Sequence, residues 1–194
     1  CRYCTSGKYH MCEVHNIFGF QRIVADGGMA DFMRLPATAR VHKIPDGISL
    51  NDAAMIEPMA CAIHTVNRGD IQLDDVVVIA GAGPLGLGMV QVAKLKTPKK
   101  LVVIDLVPER LALALAFGAD VVINPATQNA KEIIHGLTEG YGCNAEVIVG
   151  DTVPTITSMI EKGEPDLAPE GWVETSTAMS SSSPGMASAI WLSR

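Results

Sequence analysis

Residues 76–86 read VVVIAGAGPLG, an apolar run that leads directly into a glycine-rich turn. A short apolar run bounded by glycines predicts a buried parallel strand, and the residues from Pro84 onward predict a helix. A second apolar run, residues 101–104, ends at Asp105. Strand, G-x-G-x-x-G turn, helix, strand and acidic residue, in this order, form the fingerprint of a dinucleotide-binding βαβ unit. The sequence therefore predicts that this part of the chain binds a dinucleotide.

Five residues of the turn are the predicted contacts of the dinucleotide pyrophosphate. Gly81 permits the tight turn, Gly83 lets the backbone approach the pyrophosphate, and Gly86 lets the helix pack closely on the strand. Pro84 and Leu85 begin the helix, whose unpaired N–H groups and positive dipole end favour an anion.

Asp105 and Arg110 are the predicted contacts at the adenosine end. The Asp105 carboxylate accepts hydrogen bonds from ribose hydroxyls in this fingerprint, and it would repel a 2′-phosphate, which favours NAD over NADP. Arg110 lies close enough in sequence to pack on the adenine. The alternative for Arg110 is an ordinary exposed helix arginine.

Residues 76–90 contain no charged side chain, so a buried helix or a membrane span is the competing interpretation. Glycines and a proline cluster in the middle of the run, and Asp74, Asp75 and Lys94 flank it, which argues against a span. A net charge of -6 argues against nucleic acid or an anionic membrane as a partner, because either needs a basic face.

The order of elements after residue 75 predicts the fold class. Strands are predicted at 76–80, 101–105, 121–124 and 145–149, and helices at 85–95, 109–117 and about 133–137. This alternation predicts an α/β fold with a doubly wound parallel (Rossmann) sheet and right-handed crossovers.

The segments on either side have different patterns. Residues 17–43 alternate like strands, notably at 29–35. Ser49 predicts a helix N-cap, with Asp52 as the partner in a capping box, and Pro58 is expected to interrupt that helix.

The pattern is lost after Gly150. Residues 172–175 are the one further strand that the sequence predicts there, and 180–185 are low-complexity. We expect residues 151–194 to be an atypical tail, either poorly ordered or altered by a shift of reading frame.

Cys1, Cys4 and Cys12 have the spacing of metal ligands. Two thiolates separated by two residues can bind one tetrahedral ion, and a third can reach it from the far end of the loop. A structural zinc site needs a fourth ligand, so either a fourth cysteine precedes residue 1 or the site is empty in this chain, with His10 or His15 as substitute ligands. Three free thiols are the alternative interpretation. Because the chain begins with Cys rather than Met, we expect it to be a piece of a longer protein.

This cysteine loop resembles the last three of the four cysteines in the structural zinc lobe of zinc-dependent medium-chain alcohol dehydrogenases. Further segments follow in the order of that family, and the one around Glu57 is most similar to the polyol branch of sorbitol-type and erythritol/threitol-type dehydrogenases. These segments are GGMADF at 27–32, KIPDG at 43–47, AMIEPM at 54–59 and the glycine turn. The resemblance covers about residues 1–149.

The resemblance implies a division of the chain into four parts. Residues 1–48 would be the remnant of a β-rich catalytic domain with its structural zinc loop, and 49–74 would be connecting helices. Residues 75–150 would be the first part of the dinucleotide-binding domain, and 151–194 the atypical tail.

Glu57 is the one catalytic residue that the resemblance implies for this chain. The family carries its catalytic zinc on a Cys and a His-Glu pair that would lie before the cysteine loop. Glu57 stands where the polyol branch places an acidic residue beside that zinc or its bound water, so it is also a predicted metal ligand. The apolar neighbours Met55, Ile56 and Met59 predict a partly buried carboxylate, and a solvated helix carboxylate is the alternative.

The resemblance implies an oxidoreductase that uses NAD and zinc to oxidise a secondary alcohol of a small polyol to a ketose. The alternative is a catalytically inactive zinc- and NAD-binding remnant without the catalytic metal site. A zinc-free reductase of the same superfamily is disfavoured by the cysteine loop. A small-molecule polyol is the expected partner, and the intact parent is expected to be cytoplasmic and a homodimer or homotetramer.

Overall fold

The computed structural model describes residues 1–14, 17–19, 26–37, 39–149, 173–176 and 188–192, with backbone alone for 148–149 and the last two segments. The chain divides into two compact units, Cys1–Ile48 and Ser49–Arg194. Within the described residues, no helix is both long and apolar enough to cross a membrane.

The first unit contains only short helical turns in its described part. These are helix α1, Arg2–Thr5, and a 3₁₀ helix, Tyr9–Met11. The strand predicted at 29–35 is wrong, since these residues form bends and extended chain. Met29 and Phe32 are fully exposed there. A segment of alternating polarity forms a strand only when a second strand pairs with it through hydrogen bonds. The described residues of this unit contain no such partner strand.

The second unit begins with two helices, α2 at Leu50–Ala53 and α3 at Ile56–Arg68. The N-cap prediction is confirmed, because the Oγ atom of Ser49 accepts a hydrogen bond from the Asp52 N–H at 3.1 Å. The break between the helices lies at residues 54–55, and Pro58 sits in the first turn of α3. Proline is tolerated there, since a first-turn N–H has no intrahelical acceptor.

The predicted alternation of strands and helices is confirmed. Its elements are β1 Val76–Ala80, α4 Pro84–Leu95, β2 Lys100–Ile104, α5 Pro108–Ala116, β3 Val121–Ile123, α6 Ala130–Leu137 and β4 Ala145–Val149. These four strands are parallel, in the order β3-β2-β1-β4. The predicted doubly wound fold is therefore present, and the strand order reverses between β1 and β4, where such folds bind ligands.

Two apolar clusters cover the two faces of the sheet. Val77 and Ile79 of β1 face one way and pack with buried residues of α3, α4 and α5. Val76 and Val78 face the other way and pack with Ile134 of α6. Residues buried on both faces explain why β1 is a continuous apolar run rather than an alternating one.

Two strands in the tail extend the sheet beyond β4. They are β5, Val173–Ser176, and β6, Ser188–Leu192, and both pair antiparallel, β6 with β4 and β5 with β6. The sequence predicted a strand near β5 but missed β6, because the serine-rich stretch before it suggested low complexity. The rest of the expected disordered or frame-altered tail lies outside the described residues.

Candidate dinucleotide and metal sites

The glycine turn between β1 and α4 has the geometry that its sequence predicts. Gly81 has a φ of +104°, a conformation that glycine adopts without strain, and its N–H donates to the Ile104 carbonyl at 2.8 Å. A Cβ atom on Gly86 would lie 1.8 Å from the Gly81 carbonyl oxygen. A Cβ atom on Gly83, by contrast, would meet nothing within 4 Å. Gly81 and Gly86 are thus required by the turn itself, whereas the space beside Gly83 is open to a ligand.

The start of α4 presents unpaired backbone donors beside that open space. Gly83 is the N-cap and Pro84 the first helical residue, so Pro84 removes one donor that would have had no acceptor. The Leu87 N–H already donates to the Gly83 carbonyl at 2.8 Å. The N–H groups of Leu85 and Gly86 are therefore the donors that the helix start offers to an anion.

Asp105 lies at the carboxyl end of β2 and is buried, with 5% of its surface exposed. Its Oδ2 atom accepts a hydrogen bond from the Ala82 N–H at 2.7 Å, and its Oδ1 atom accepts one from the Val107 N–H at 2.8 Å. Each carboxylate oxygen has a second lone pair that these contacts leave unused. Asp105 thus ties the glycine turn to the end of β2 and still has acceptor capacity for a ligand.

Arg110 lies on the first turns of α5 and is half-exposed. Its Nη1 atom is 4.0 Å from the Oδ2 atom of Asp105. The structure therefore places the two predicted adenosine contacts side by side. The long separation and the exposure of the guanidinium make this ion pair weak, so Arg110 can reorient toward a ligand.

Leu106 and Asn124 complete this end of the sheet, and sequence reasoning missed both. The Leu106 side chain directly follows Asp105 and is 50% exposed. Asn124 follows β3, and its Nδ2 atom donates to the Leu106 carbonyl oxygen at 3.2 Å. The sequence did contain a signal for Asn124. It is a polar residue directly after β3, and β3 neighbours the strand that is followed by Asp105.

The three cysteines predicted as metal ligands converge in the first unit. The Sγ atoms of Cys1, Cys4 and Cys12 all lie within 4.8 Å of one another. A tetrahedral zinc bound at about 2.3 Å from each thiolate holds its sulfurs roughly 3.8 Å apart, so a small contraction would close the cluster on an ion. The donor set fits zinc, which prefers thiolates in closed structural sites.

Two of the thiols, those of Cys4 and Cys12, interact directly with each other. A hydrogen bond between Cys4 and Cys12 is the main cause of a raised Cys4 pKa, with burial and the charge of Cys12 acting in the same direction. Among the described residues, His10 is not part of the converging group, and His15 lies outside the described residues.

Glu57 lies in the second unit, in the first turn of α3. Its Oε1 atom accepts a hydrogen bond from the Cys61 thiol at 3.2 Å. Partial burial together with this carboxylate raises the pKa of Cys61 to about 11. The expectation of a partly buried Glu57 is wrong, because Glu57 is exposed, as are Met55 and Ile56. Apolar neighbours in sequence bury a carboxylate only where another element covers the same helix face, and no described residue of this unit does so.

A second buried carboxyl group, Glu146, lies on β4 away from the glycine turn. It is opposite Val78 in the register of β1 and β4, and only 5% of its surface is exposed. In the part of the chain whose side chains are described, its carboxyl group has no hydrogen-bonding partner. Burial raises its pKa to about 7. Nearby Cys143 is a small buried apolar residue, and burial, with the charge of Glu146, raises the pKa of its thiol.

The known proteins that are similar to this chain include several dehydrogenases. The family model for zinc-binding dehydrogenases matches residues 84–165. An erythritol/L-threitol dehydrogenase of Mycolicibacterium smegmatis is 45% identical over 147 residues, which cover 76% of this chain and 40% of the relative. A sorbitol dehydrogenase of Halalkalibacterium halodurans is 33% identical over 163 residues, 83% of this chain and 46% of the relative. The chain thus spans less than half the length of these curated relatives.

Solved structures of similar fold agree. An alcohol dehydrogenase from Thermus sp. ATN1 has a TM-score of 0.70 at 26% identity and covers 83% of this chain and 48% of its own. An alcohol dehydrogenase from Escherichia coli, solved with NADH, has a TM-score of 0.64 at 33% identity and covers 75% of this chain and 42% of its own. The resemblance stated from the sequence is confirmed: the chain is similar to zinc-dependent, polyol dehydrogenase-like proteins of the zinc-binding dehydrogenase family over part of their length.

Proposed function

We propose that this chain is the NAD-binding part of a zinc-dependent dehydrogenase that oxidises a secondary alcohol of a small polyol to a ketose. The observation that carries the proposal is the arrangement at the carboxyl ends of β1 and β2. There the open space beside Gly83, the free amides of α4 and a buried carboxylate adjoin one another. The relatives named for polyols supply the substrate class.

The residues present fit NAD. The Leu85 and Gly86 amides would bind the pyrophosphate, which can approach because Gly83 has no side chain. The unused lone pairs of Asp105 would accept hydrogen bonds from the adenosine ribose hydroxyls. The exposed apolar surface of Leu106 and the guanidinium of Arg110 would pack against the adenine. Because Asp105 is negatively charged, a 2′-phosphate at this position would be repelled.

The residues present also fit a structural zinc, which Cys1, Cys4 and Cys12 would hold together with a fourth ligand. In the intact enzyme, bound NAD would accept a hydride and a catalytic zinc would act as a Lewis acid on the alcohol oxygen. Glu57 would then hold the metal or its water and relay a proton. The exposed position of its carboxylate on α3 leaves it accessible for this role.

The intact parent would have the four-part division of the chain given above. We also infer that it would be cytoplasmic and would form a homodimer or homotetramer. These inferences follow from the family.

The alternative function is an inactive remnant that binds zinc and NAD. One observation favours it: in the described residues, the three cysteines are the one group of three possible ligands that converges, and Glu57 belongs to no such group. We therefore expect weak or no turnover of polyols by this chain.

Two measurements on the purified, zinc-loaded chain separate these functions. Fluorescence titration should show NADH binding more tightly than NADPH, and absence of NADH binding would overturn the dinucleotide assignment. Activity with erythritol, L-threitol and sorbitol should be close to background. Zinc-dependent turnover of any of them would exclude the remnant.

A further inference from the structure

We propose that Asn124 is a positioning residue for the adenosine end of the dinucleotide, acting through the Leu106 backbone on the Asp105 carboxylate. This inference rests on the proposed NAD binding and adds a residue to that site. Its basis is a continuous set of hydrogen bonds that joins the carboxyl ends of three parallel strands.

The side-chain amide of Asn124 is fixed in one orientation. Its Oδ1 atom accepts a hydrogen bond from the Ala126 N–H at 3.0 Å, which places the Nδ2 atom toward the Leu106 carbonyl. The Asn124 backbone N–H donates to the Gln128 Oε1 atom at 2.8 Å, so the turn that carries Asn124 is itself held. Asn124 is therefore a rigid donor to the segment after β2 rather than a free surface amide.

The Leu106 segment in turn holds Asp105. The Asp105 N–H donates to the Ile123 carbonyl at 3.2 Å, and the Val107 N–H donates to the Asp105 Oδ1 atom. The N–H groups of Asp105 and Val107 set the orientation of the carboxylate, and Leu106 lies between them. Asn124 fixes the carbonyl of this Leu106. The same peptide segment presents the exposed Leu106 side chain at the predicted adenine position.

The bond from Asn124 to Leu106 also affects the glycine turn, through Asp105. The Oδ2 atom of Asp105 binds the Ala82 N–H, between Gly81 and Gly83. If the Leu106 carbonyl is released, the carboxylate can rotate, and both its ribose contacts and its bond to the turn weaken. Asn124 should therefore matter most for ligands that reach Asp105 through a free 2′-hydroxyl.

The test compares Asn124→Asp with Gln128→Glu. Asn124→Asp keeps an oxygen for Ala126 and removes the donor to Leu106. Gln128→Glu adds the same negative charge to the same turn, keeps an acceptor for the Asn124 N–H and does not touch Leu106. Asn124→Ala is a second, uncharged variant. Affinities for ADP-ribose, NADH and NADPH are measured by titration, and thermal unfolding reports on folding.

We expect Asn124→Asp and Asn124→Ala to weaken ADP-ribose and NADH binding about three- to tenfold, the effect of one hydrogen bond. Gln128→Glu, which keeps the acceptor for the Asn124 N–H, should change binding less than about twofold. In Asn124→Ala, NADPH affinity should change less than NADH affinity, because the 2′-phosphate does not use Asp105. A merely structural role would weaken both nucleotides equally, and that result would overturn the inference. Unchanged ADP-ribose binding in the Asn124 variants would also overturn it, whereas failure of the unmutated chain to bind ADP-ribose would overturn the proposed function first.

Discussion

The Oδ2 atom of Asp105 accepts a hydrogen bond from the Ala82 N–H at 2.7 Å. The carboxylate that is expected to accept hydrogen bonds from the ribose hydroxyls therefore also holds the glycine turn. The two roles are compatible, because each carboxylate oxygen can accept two hydrogen bonds. They nevertheless have different consequences when the residue is changed.

Asp105→Ser should shift nucleotide preference toward NADPH and weaken NADH binding. The preference shifts because the charge that repels a 2′-phosphate is gone. Loss of the acceptor for Ala82 should also destabilise the chain by about 1–3 kcal/mol, as for other buried donors left without a partner. Fluorescence titrations with both nucleotides and chemical unfolding measure the two effects. Asp105→Asn, which keeps an oxygen in place, should lose less stability, and an unchanged NADH-to-NADPH ratio in both variants would contradict the assigned role.

Gly83→Ala and Gly86→Ala should separate ligand binding from folding. Gly83 has a φ of -70° and open space at its Cβ position, so alanine should fold normally yet occupy the approach to the pyrophosphate. We expect NADH affinity to fall at least about tenfold, or 1.4 kcal/mol, with an unchanged thermal midpoint. In Gly86→Ala the Cβ atom would overlap the Gly81 carbonyl, so stability should fall by about 1–3 kcal/mol or more. Normal NADH binding by Gly83→Ala would rule out pyrophosphate at this turn.

Glu146 should make stability depend on pH. Its pKa is about 7 when folded and 4.5 when exposed, so the folded chain binds more protons between these values and stability falls as pH rises from about 4.5 to 7. The full difference corresponds to roughly 3 kcal/mol. Glu146→Gln should therefore be more stable than the unmutated chain at pH 8 by a margin that disappears near pH 4.5. Urea unfolding across this range tests it, with Glu139→Gln as an exposed control, and parallel pH profiles for Glu146→Gln and the unmutated chain would contradict it.

The cysteine cluster should bind one zinc ion per chain. Because the three sulfurs already lie near one another, Cys4→Ser or Cys12→Ser should accelerate zinc transfer to a chromogenic chelator at least about tenfold. Cys61→Ser, which changes a cysteine of the second unit, should leave the transfer rate unchanged. Equal rates in all three variants would show that these thiols do not hold the metal.

The sequence was sufficient to predict the parts of the fold in which local pattern and long-range pairing agree. The β1 run is apolar because both of its faces are covered. Gly81 is a glycine because its φ is +104°, and Gly86 is one because the turn leaves no space for a Cβ atom. Asp105 could be assigned from its position after β2. In each case a single local requirement determines the residue type.

Other features depend on what packs against a segment, and the sequence does not encode this locally. Residues 29–35 alternate like a strand but have no partner strand among the described residues. Glu57 has apolar neighbours but an exposed helix face. Asn124 was missed because its importance comes from a bond to Leu106, eighteen residues earlier in the chain. Interactions between distant segments are visible only once the strands are aligned.

Helices α3 and α4 approach each other closely at Gly88. A Cβ atom on Gly88 would lie 3.0 Å from the Met59 sulfur and 3.3 Å from the Ala62 Cβ, so side chains of α3 pack directly on the backbone of α4. A side chain at position 88 would therefore push the two helices apart. Because Met59 and Ala62 lie on the same helix as Glu57, this displacement would also move the first turn of α3 relative to the glycine turn at the start of α4.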